Sequence, residues 1–157
     1  MKYEETIAQI QIKNGTVIDH IPNGKALLII RLLGITGKEN HIINVFMHVP
    51  SSKMDKKDIV KVENMYLNDK LVRNISLIAP NLTINIIDNY DVKEKKRVEL
   101  PEKLTGIIKC PNLRCITNDK QETIQSLLYL KNKLTIEYQC GYCDKVLNQN
   151  TLIEILN

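Results

Sequence analysis

Cys110-Pro111-Asn112-Leu113-Arg114-Cys115 and, further on, Cys140-Gly141-Tyr142-Cys143 contain every cysteine of this 157-residue chain. Four residues separate the first two cysteines, two separate the second two, and 24 lie between the pairs. A short loop between two cysteines turns both thiolates toward one point, and two such loops supply the ligands of a tetrahedral zinc. Pro111, Asn112 and Gly141 provide the tight turns these loops need. The segment that carries them holds about 55 residues with few aromatics, too little surface to bury for independent folding, so a metal staple is physically motivated.

Other readings of the four thiols are weaker. A redox dithiol at Cys140 and Cys143 would normally open a helix, and it leaves Cys110 and Cys115 unexplained. Two disulfides would need an oxidising compartment. A catalytic zinc keeps one position for water, whereas four thiolates fill the tetrahedron. The expectation is therefore one structural Zn2+ held by Cys110, Cys115, Cys140 and Cys143. Short strands are expected around the pairs, at residues 106–109, 134–138 and 146–155, making this a small all-β zinc domain.

Upstream of the cysteines the periodicity changes repeatedly. Residues 7–13 alternate, with Ile10 and Ile12 on one face and Gln9 and Gln11 on the other, which predicts a strand ended by Gly15. Pro22-Asn23-Gly24 marks a turn, and residues 25–33 are strong helix formers with Leu27, Ile30 and Leu33 on one side. Residues 42–49 and 59–62 read as strands. Asn68 is a natural N-cap for a helix over 69–78 that Pro80 stops. Residues 82–87 alternate again, and a last strand begins at Tyr90 and Val92. The order strand, helix, strand, strand, helix, strand predicts a ferredoxin-like sandwich, with two helices on one face of an antiparallel sheet and one extra hairpin strand. The Lys- and Glu-rich stretch 92–101 reads as a linker. It divides the chain into domains 1–97 and 98–157, an α+β protein overall.

Composition narrows the function. With 43% hydrophobic and 25% charged residues the chain falls in the globular class. No apolar run is long enough to cross a bilayer, and the charged N-terminus does not read as a signal peptide, so a cytoplasmic protein without a membrane role is expected. Up to residue 100 there are 15 basic and 12 acidic side chains, and beyond it 7 and 6. The cysteine-bearing part thus lacks the concentrated basic face of a nucleic-acid binder, so nucleic acid is not the expected partner. A zinc-ribbon nucleic-acid or transcription-accessory protein is the alternative reading. His41 and His48 read as structural or surface residues. Asp19-His20 is more suggestive, yet no catalytic triad, phosphate-binding glycine loop or paired carboxylate accompanies it. Lysines recur at Lys56, Lys57 and Lys61, and again with Arg97 at Lys93, Lys95 and Lys96.

Several stretches resemble one family in order along nearly the whole chain. They are Gly15-Thr16-Val17-Ile18-Asp19-His20-Ile21-Pro22, Lys57-Asp58-Ile59-Val60-Lys61-Val62-Glu63-Asn64, Asp88-Asn89-Tyr90 and Leu100-Pro101-Glu102. Cys110-Pro111-Asn112 and Cys115-Ile116 continue the match. The chain is similar to the regulatory chains of aspartate carbamoyltransferase. That resemblance implies a non-catalytic subunit whose N-terminal domain binds the nucleotide effectors CTP, ATP and UTP and whose zinc domain docks on the catalytic chain. It implies regulatory homodimers formed through the N-terminal domain, three of them bridging two catalytic trimers, in control of pyrimidine biosynthesis. By position, Asp19 and Lys61 meet the ribose hydroxyls, while His20 and Lys95 face the triphosphate with Lys57 assisting. Main-chain groups of Ile12 and Tyr90 read the base edge, and Asn85, Ile87 and Val92 line its pocket. Gln9, Ile10 and Gln11, and the C-terminal residues 151–157, depart from the family pattern.

Overall fold

Asp58-Ile59-Val60-Lys61-Val62 is a run of five consecutive buried residues, the mark of a strand covered on both faces. The computed structural model, which describes residues 2–157, places this run in β3 (Asp55–Glu63), with β2 (Ile43–Ser51) on one side and β1 (Gly15–Pro22) on the other. With β4 (Thr83–Asp88) and β5 (Asp91–Arg97) they form a sheet of order β2-β3-β1-β4-β5, antiparallel throughout. The helices α2 (Ala26–Leu32) and α3 (Asp69–Ile78) pack on one face and supply Ala26, Ile29, Ile75 and Ile78 to a core with Ile18, Val60 and Ile84. This is the split βαβ sandwich expected from the element order. The helix α3 also begins as expected, with the Asn68 side chain accepting from Leu71 N at 2.9 Å.

The first strand is not where alternation places it. The stretch 7–13 carries the end of a helix, α1 (Lys2–Gln9), followed by an extended loop, and β1 starts at Gly15 rather than ending there. Ile10 and Ile12 do not share a face, since Ile12 is buried and Ile10 exposed, and the C-terminal carbonyls of α1 find a cation instead of a strand partner. Lys61 Nζ donates to Ile7 O and Ile10 O, both at 2.7 Å. Gly15 fits the strand start because its φ is +139° and an added Cβ would be forced against the Val62 carbonyl.

Pairing in the sheet is irregular at three places, one of them in the β4–β5 pair between Ile86 and Ile87, and the other two flank β3. Pairing of β1 with β3 shifts between Ile18 and Ile21, and pairing of β2 with β3 shifts between Phe46 and Val49. His20 and His48, inside these bulges, both have φ of 60°. The fully buried Asp58 lies at the same level of β3. Its carboxylate accepts from His48 N at 2.9 Å, from Gly24 N at 2.8 Å and from Ala26 N at 3.0 Å. No side chain caps α2 locally, so Asp58 accepts the N–H of its first residue, Ala26, and that of Gly24 in the turn before it, setting a carboxylate at the positive end of the helix.

The stretch 92–101 is mostly strand rather than linker. Its residues through Arg97 pair with β4, and every residue of β5 is exposed, which is why no apolar periodicity marks it. The chain separates into two compact units, 1–99 and 100–157. The second is built on a four-stranded antiparallel sheet of order β6 (Lys103–Thr105), β7 (Leu127–Asn132), β8 (Glu137–Cys140), β9 (Val146–Leu147). Three strand expectations change here, the first being 134–138, where 134–136 form a turn and the strand begins only at Glu137. The stretch 106–109 is irregular, and the predicted strand 146–155 reduces to β9 followed by α4 (Gln149–Leu156). Asn148 caps that helix by accepting from Thr151 N at 3.0 Å, and Leu152 and Ile153 turn inward. Leu104, Ile108, Leu128, Tyr138 and Leu147 complete the small core. The enclosed Tyr138 hydroxyl donates to Pro101 O at 2.6 Å, and burial pushes its pKa up.

Asp58→Ala leaves three backbone N–H groups without their acceptor, so it should lower the unfolding free energy by about 3–5 kcal/mol. Asn68→Ala removes one exposed cap and should cost about 1 kcal/mol. Denaturant titration of both variants checks this, and an Asp58 loss no larger than the Asn68 loss would remove Asp58 from its central role.

Candidate functional site

The four cysteines converge although they come from three places in the second unit. Cys110 and Cys115 lie in the loop after β6, Cys140 ends β8, and Cys143 sits in the turn before β9. Their sulfur atoms all lie within 4.8 Å of one another, with Cys110 to Cys143 at 3.6 Å and Cys115 to Cys140 at 3.8 Å. These separations are far too long for a disulfide of about 2.0 Å. The two shorter ones match the roughly 3.8 Å edge of a tetrahedron whose metal–sulfur bonds are about 2.3 Å.

Each knuckle is fixed by its own hydrogen bonds. In the first, Asn118 Nδ2 donates to Cys110 O at 2.8 Å and Asn112 O at 2.7 Å, and Cys115 N donates to Asn112 O at 2.9 Å. In the second, Cys140 N donates to Lys145 O at 2.9 Å and Asp144 N to Cys140 O at 3.1 Å. A Cβ on Gly141 would lie 2.9 Å from the Tyr129 ring, so the glycine lets this turn close against β7. Burial pushes the Cys110 and Cys140 thiols up. At Cys143 burial acts the same way but is outweighed by hydrogen bonds with Asn112, the Lys145 N–H and the neighbouring thiols, which bring it to about 7. Gathering four thiolates here therefore requires a cation to replace the lost protons.

The second cluster lies in the first unit, on the sheet face away from α2 and α3. Register decides its membership. Val17 pairs with Lys61 on one side and Asn85 on the other, and Asn85 pairs with Lys95, so all four share a face. The β1 bulge adds a residue before Ile21 returns to the core, so Asp19 and His20 both reach this face in succession.

Three cavities follow one another here. The first, of about 200 Å³, is lined by Ile12, Lys61, Asn85, Ile87, Tyr90 and Val92. The second, of about 240 Å³, has Ile7, Asp19, Lys57, Ile59 and Lys61 in its wall. The third, of about 490 Å³, includes His20, Lys53, Lys95 and Arg97. All ten residues singled out for nucleotide contact by resemblance line one of these cavities. Arg97 and Lys53 were not among them. Alternation from Lys95 points to Arg97, whereas Lys53 comes from the β2–β3 turn, where no periodicity could signal it.

The electrostatics are specific. Asp19 Oδ1 binds Lys57 Nζ at 2.8 Å and accepts from His20 N at 2.6 Å, and Asp19 Oδ2 lies 3.5 Å from His20 Nδ1. Lys61 is 8% exposed, and its ammonium stands 5.8 Å from the centre of the Phe46 ring. Burial lowers its pKa against the opposing pull of Asp19. Burial likewise lowers His20, Asp19 resists, and the positive charges of Lys57, Lys53 and Lys95 add to the lowering. The arrangement offers an apolar slot with backbone groups, a carboxylate with two lysines, and a cationic end.

Comparison with known proteins agrees with this division. Residues 7–99 match the family described as aspartate carbamoyltransferase regulatory chain, allosteric domain, and residues 102–153 match the metal binding domain of the same chain. The aspartate carbamoyltransferase regulatory chain of Staphylothermus marinus is 49% identical over 146 residues, covering 93% of this chain and 89% of its own. That of Thermoplasma volcanium is 46% identical over 151 residues, covering 96% and 99%. The Korarchaeum cryptofilum regulatory chain is 44% identical over 154 residues, covering 98% of each. Two domain matches in order and relatives aligned nearly end to end leave one conclusion: this chain belongs to the family of aspartate carbamoyltransferase regulatory chains, non-catalytic subunits that join an allosteric domain to a metal-binding domain.

Proposed function

We propose that this chain binds CTP, ATP and UTP in the three-cavity cleft of its first unit and passes the effect to a catalytic chain docked on its second. The observation that carries the reading is the order of the cavities. An apolar slot suits a base, Asp19 with Lys61 suits ribose hydroxyls, and His20 with Lys95 suits phosphates. Lys57 is held by Asp19 and steadies that carboxylate for the ribose hydroxyls while adding positive charge beside His20. The base edge is read by main-chain groups of Ile12 and Tyr90, which depends little on side-chain identity.

The metal is taken as one Zn2+ per chain, because four thiolates at tetrahedral separations suit zinc and leave no position for water or substrate. It holds the shape of the docking unit and takes part in no reaction. Leu113, 90% exposed between Cys110 and Cys115, and the half-exposed Tyr142 between Cys140 and Cys143 present apolar groups at the knuckle tips for the catalytic chain. Pairing of two regulatory chains is assigned to the β2 edge of the first unit. There Val45 is exposed beside Phe46, Met47 and Val49, whereas the opposite edge strand, β5, carries Lys93, Lys95, Lys96 and Arg97. Three such dimers would bridge two catalytic trimers in the cytoplasm and regulate pyrimidine synthesis. The effectors act by binding two quaternary states unequally, which shifts the equilibrium between them. Among the described residues no helix is long and apolar enough to cross a membrane. The family relationship gives no support to the nucleic-acid alternative.

Three measurements follow. Metal analysis should find one zinc per chain, and chelation should abolish co-purification with the catalytic chain while leaving CTP binding to the first unit; retained co-purification without metal would refute the docking role. In calorimetry of the full chain, Asp19→Ala or Lys61→Ala should weaken both CTP and ATP by roughly 10- to 100-fold; unchanged affinities would overturn the ribose assignment. The free His20 has a pKa below its ordinary 6.5, and a bound triphosphate favours its protonated form. Affinity should therefore rise as pH falls from about 8 toward 6, with proton uptake on binding, and His20→Gln should remove that component of the pH dependence.

A further inference from the structure

The third cavity holds more positive charge than the nucleotide assignment uses. Lys57 is committed to Asp19 at 2.8 Å, and in the free chain burial holds His20 toward its neutral form, so that it charges only as an anion binds. That leaves Lys95 as the uncommitted cation among the three residues given to the phosphates. Lys53 and Arg97 line the same cavity, and no carboxylate lines it. Arg97 reaches Asn81 Oδ1 at 3.3 Å. Among the described residues, the side chains of Lys53 and Lys95 have no salt-bridge or hydrogen-bond partner.

The cations reach the cavity from opposite edges of the sheet. Lys95 and Arg97 stand on β5, fixed by pairing with Asn85 and Thr83. Lys53 stands on the turn between β2 and β3, and His20 lies between, within the field of both Lys53 and Lys95. A monophosphate beside His20 is served by Lys95. Each further phosphate adds at least roughly one negative charge and lengthens the chain, and needs a further cation that is free and can reach it. Lys53 is exposed, unpartnered and carried by a turn.

We propose that Lys53 reads the terminal phosphate of the effector and makes the cleft selective for triphosphates over mono- and diphosphates. This rests on the nucleotide reading above and extends it to phosphate count. Lys53 is a binding and specificity residue with no part in the fold.

Calorimetry of the full chain with CTP, CDP and CMP, and separately with inorganic tripolyphosphate and orthophosphate, tests it at about 150 mM salt, where distant surface charges are screened. Lys53→Ala should weaken CTP and tripolyphosphate by roughly 5- to 10-fold and leave CMP and orthophosphate within about twofold. Lys53→Arg should restore most of the CTP affinity. Lys56→Ala is the control, because it removes the same net charge from an exposed position outside the cavity wall and should leave the CTP-to-CMP ratio unchanged. Equal losses for CTP and CMP, no loss for either, or the same narrowing in Lys56→Ala would overturn the proposal. If no nucleotide binds, the nucleotide reading fails, and the polyphosphate arm then decides separately: binding that depends on Lys53 sustains the anion subsite, and its absence ends it.

Discussion

One buried carboxylate, Asp58, holds together the parts of the first unit that would otherwise diverge. Its oxygens take the N–H of His48 in the β2 bulge and the N–H groups of Gly24 and Ala26 at the entry to α2. Two strands and the start of a helix are thereby tied together at one level of the sheet. The bulge in β1 sits at that level, and it sends Asp19 and His20 to the same side while Ile18 and Ile21 stay in the core. Without the extra residue His20 would point among the helices and the cleft would lose its cationic centre. The packing of the fold and the chemistry of its open face thus share one hydrogen-bonded group.

The second unit answers a different constraint. Its sheet has four short strands, and its core rests on a handful of residues around Tyr138 and Leu128. A core this small gains little from burial alone, so the sulfur cluster contributes cohesion that side-chain packing does not. The knuckles are pre-shaped by Asn118 and Asn112 on one side and by the Cys140–Lys145 turn on the other. Metal binding at such a cluster requires the release of protons from thiols that burial keeps protonated, and it is correspondingly pH-dependent.

The charge layout of the open face explains its direction. The carboxylate of Asp19 is placed among lysines and neutralises one of them, so positive charge rises from the apolar slot toward Lys95, Arg97 and Lys53. Lys61, nearly buried, serves two neighbouring cavities and also anchors the C-terminal carbonyls of α1. The segment Gln9 to Gln11 lies where the end of α1 meets this lysine.

By itself the sequence determined the features that short-range chemistry controls. Two cysteine pairs with turn residues between them announce a metal knuckle, Asn68 announces a helix start, and the order of periodic segments announces the sandwich. Family resemblance then named residues of the cleft, and strand register brings Lys61, Asn85 and Lys95 to one face while the β1 bulge adds Asp19 and His20. Tertiary structure decided what local pattern could not. Residues 7–13 alternate like a strand yet end a helix, because Lys61, far along the chain, supplies the partner for its carbonyls. Residues 92–97 look like a charged linker yet form an edge strand, because backbone pairing with β4 needs no apolar face. Residues 146–155 read as one strand, but after Leu147 they turn into a helix that Asn148 caps. Lys53 joined the cleft only when the β2–β3 turn was set beside β5's cavity, a matter of chain path across the sheet that no spacing of residues encodes.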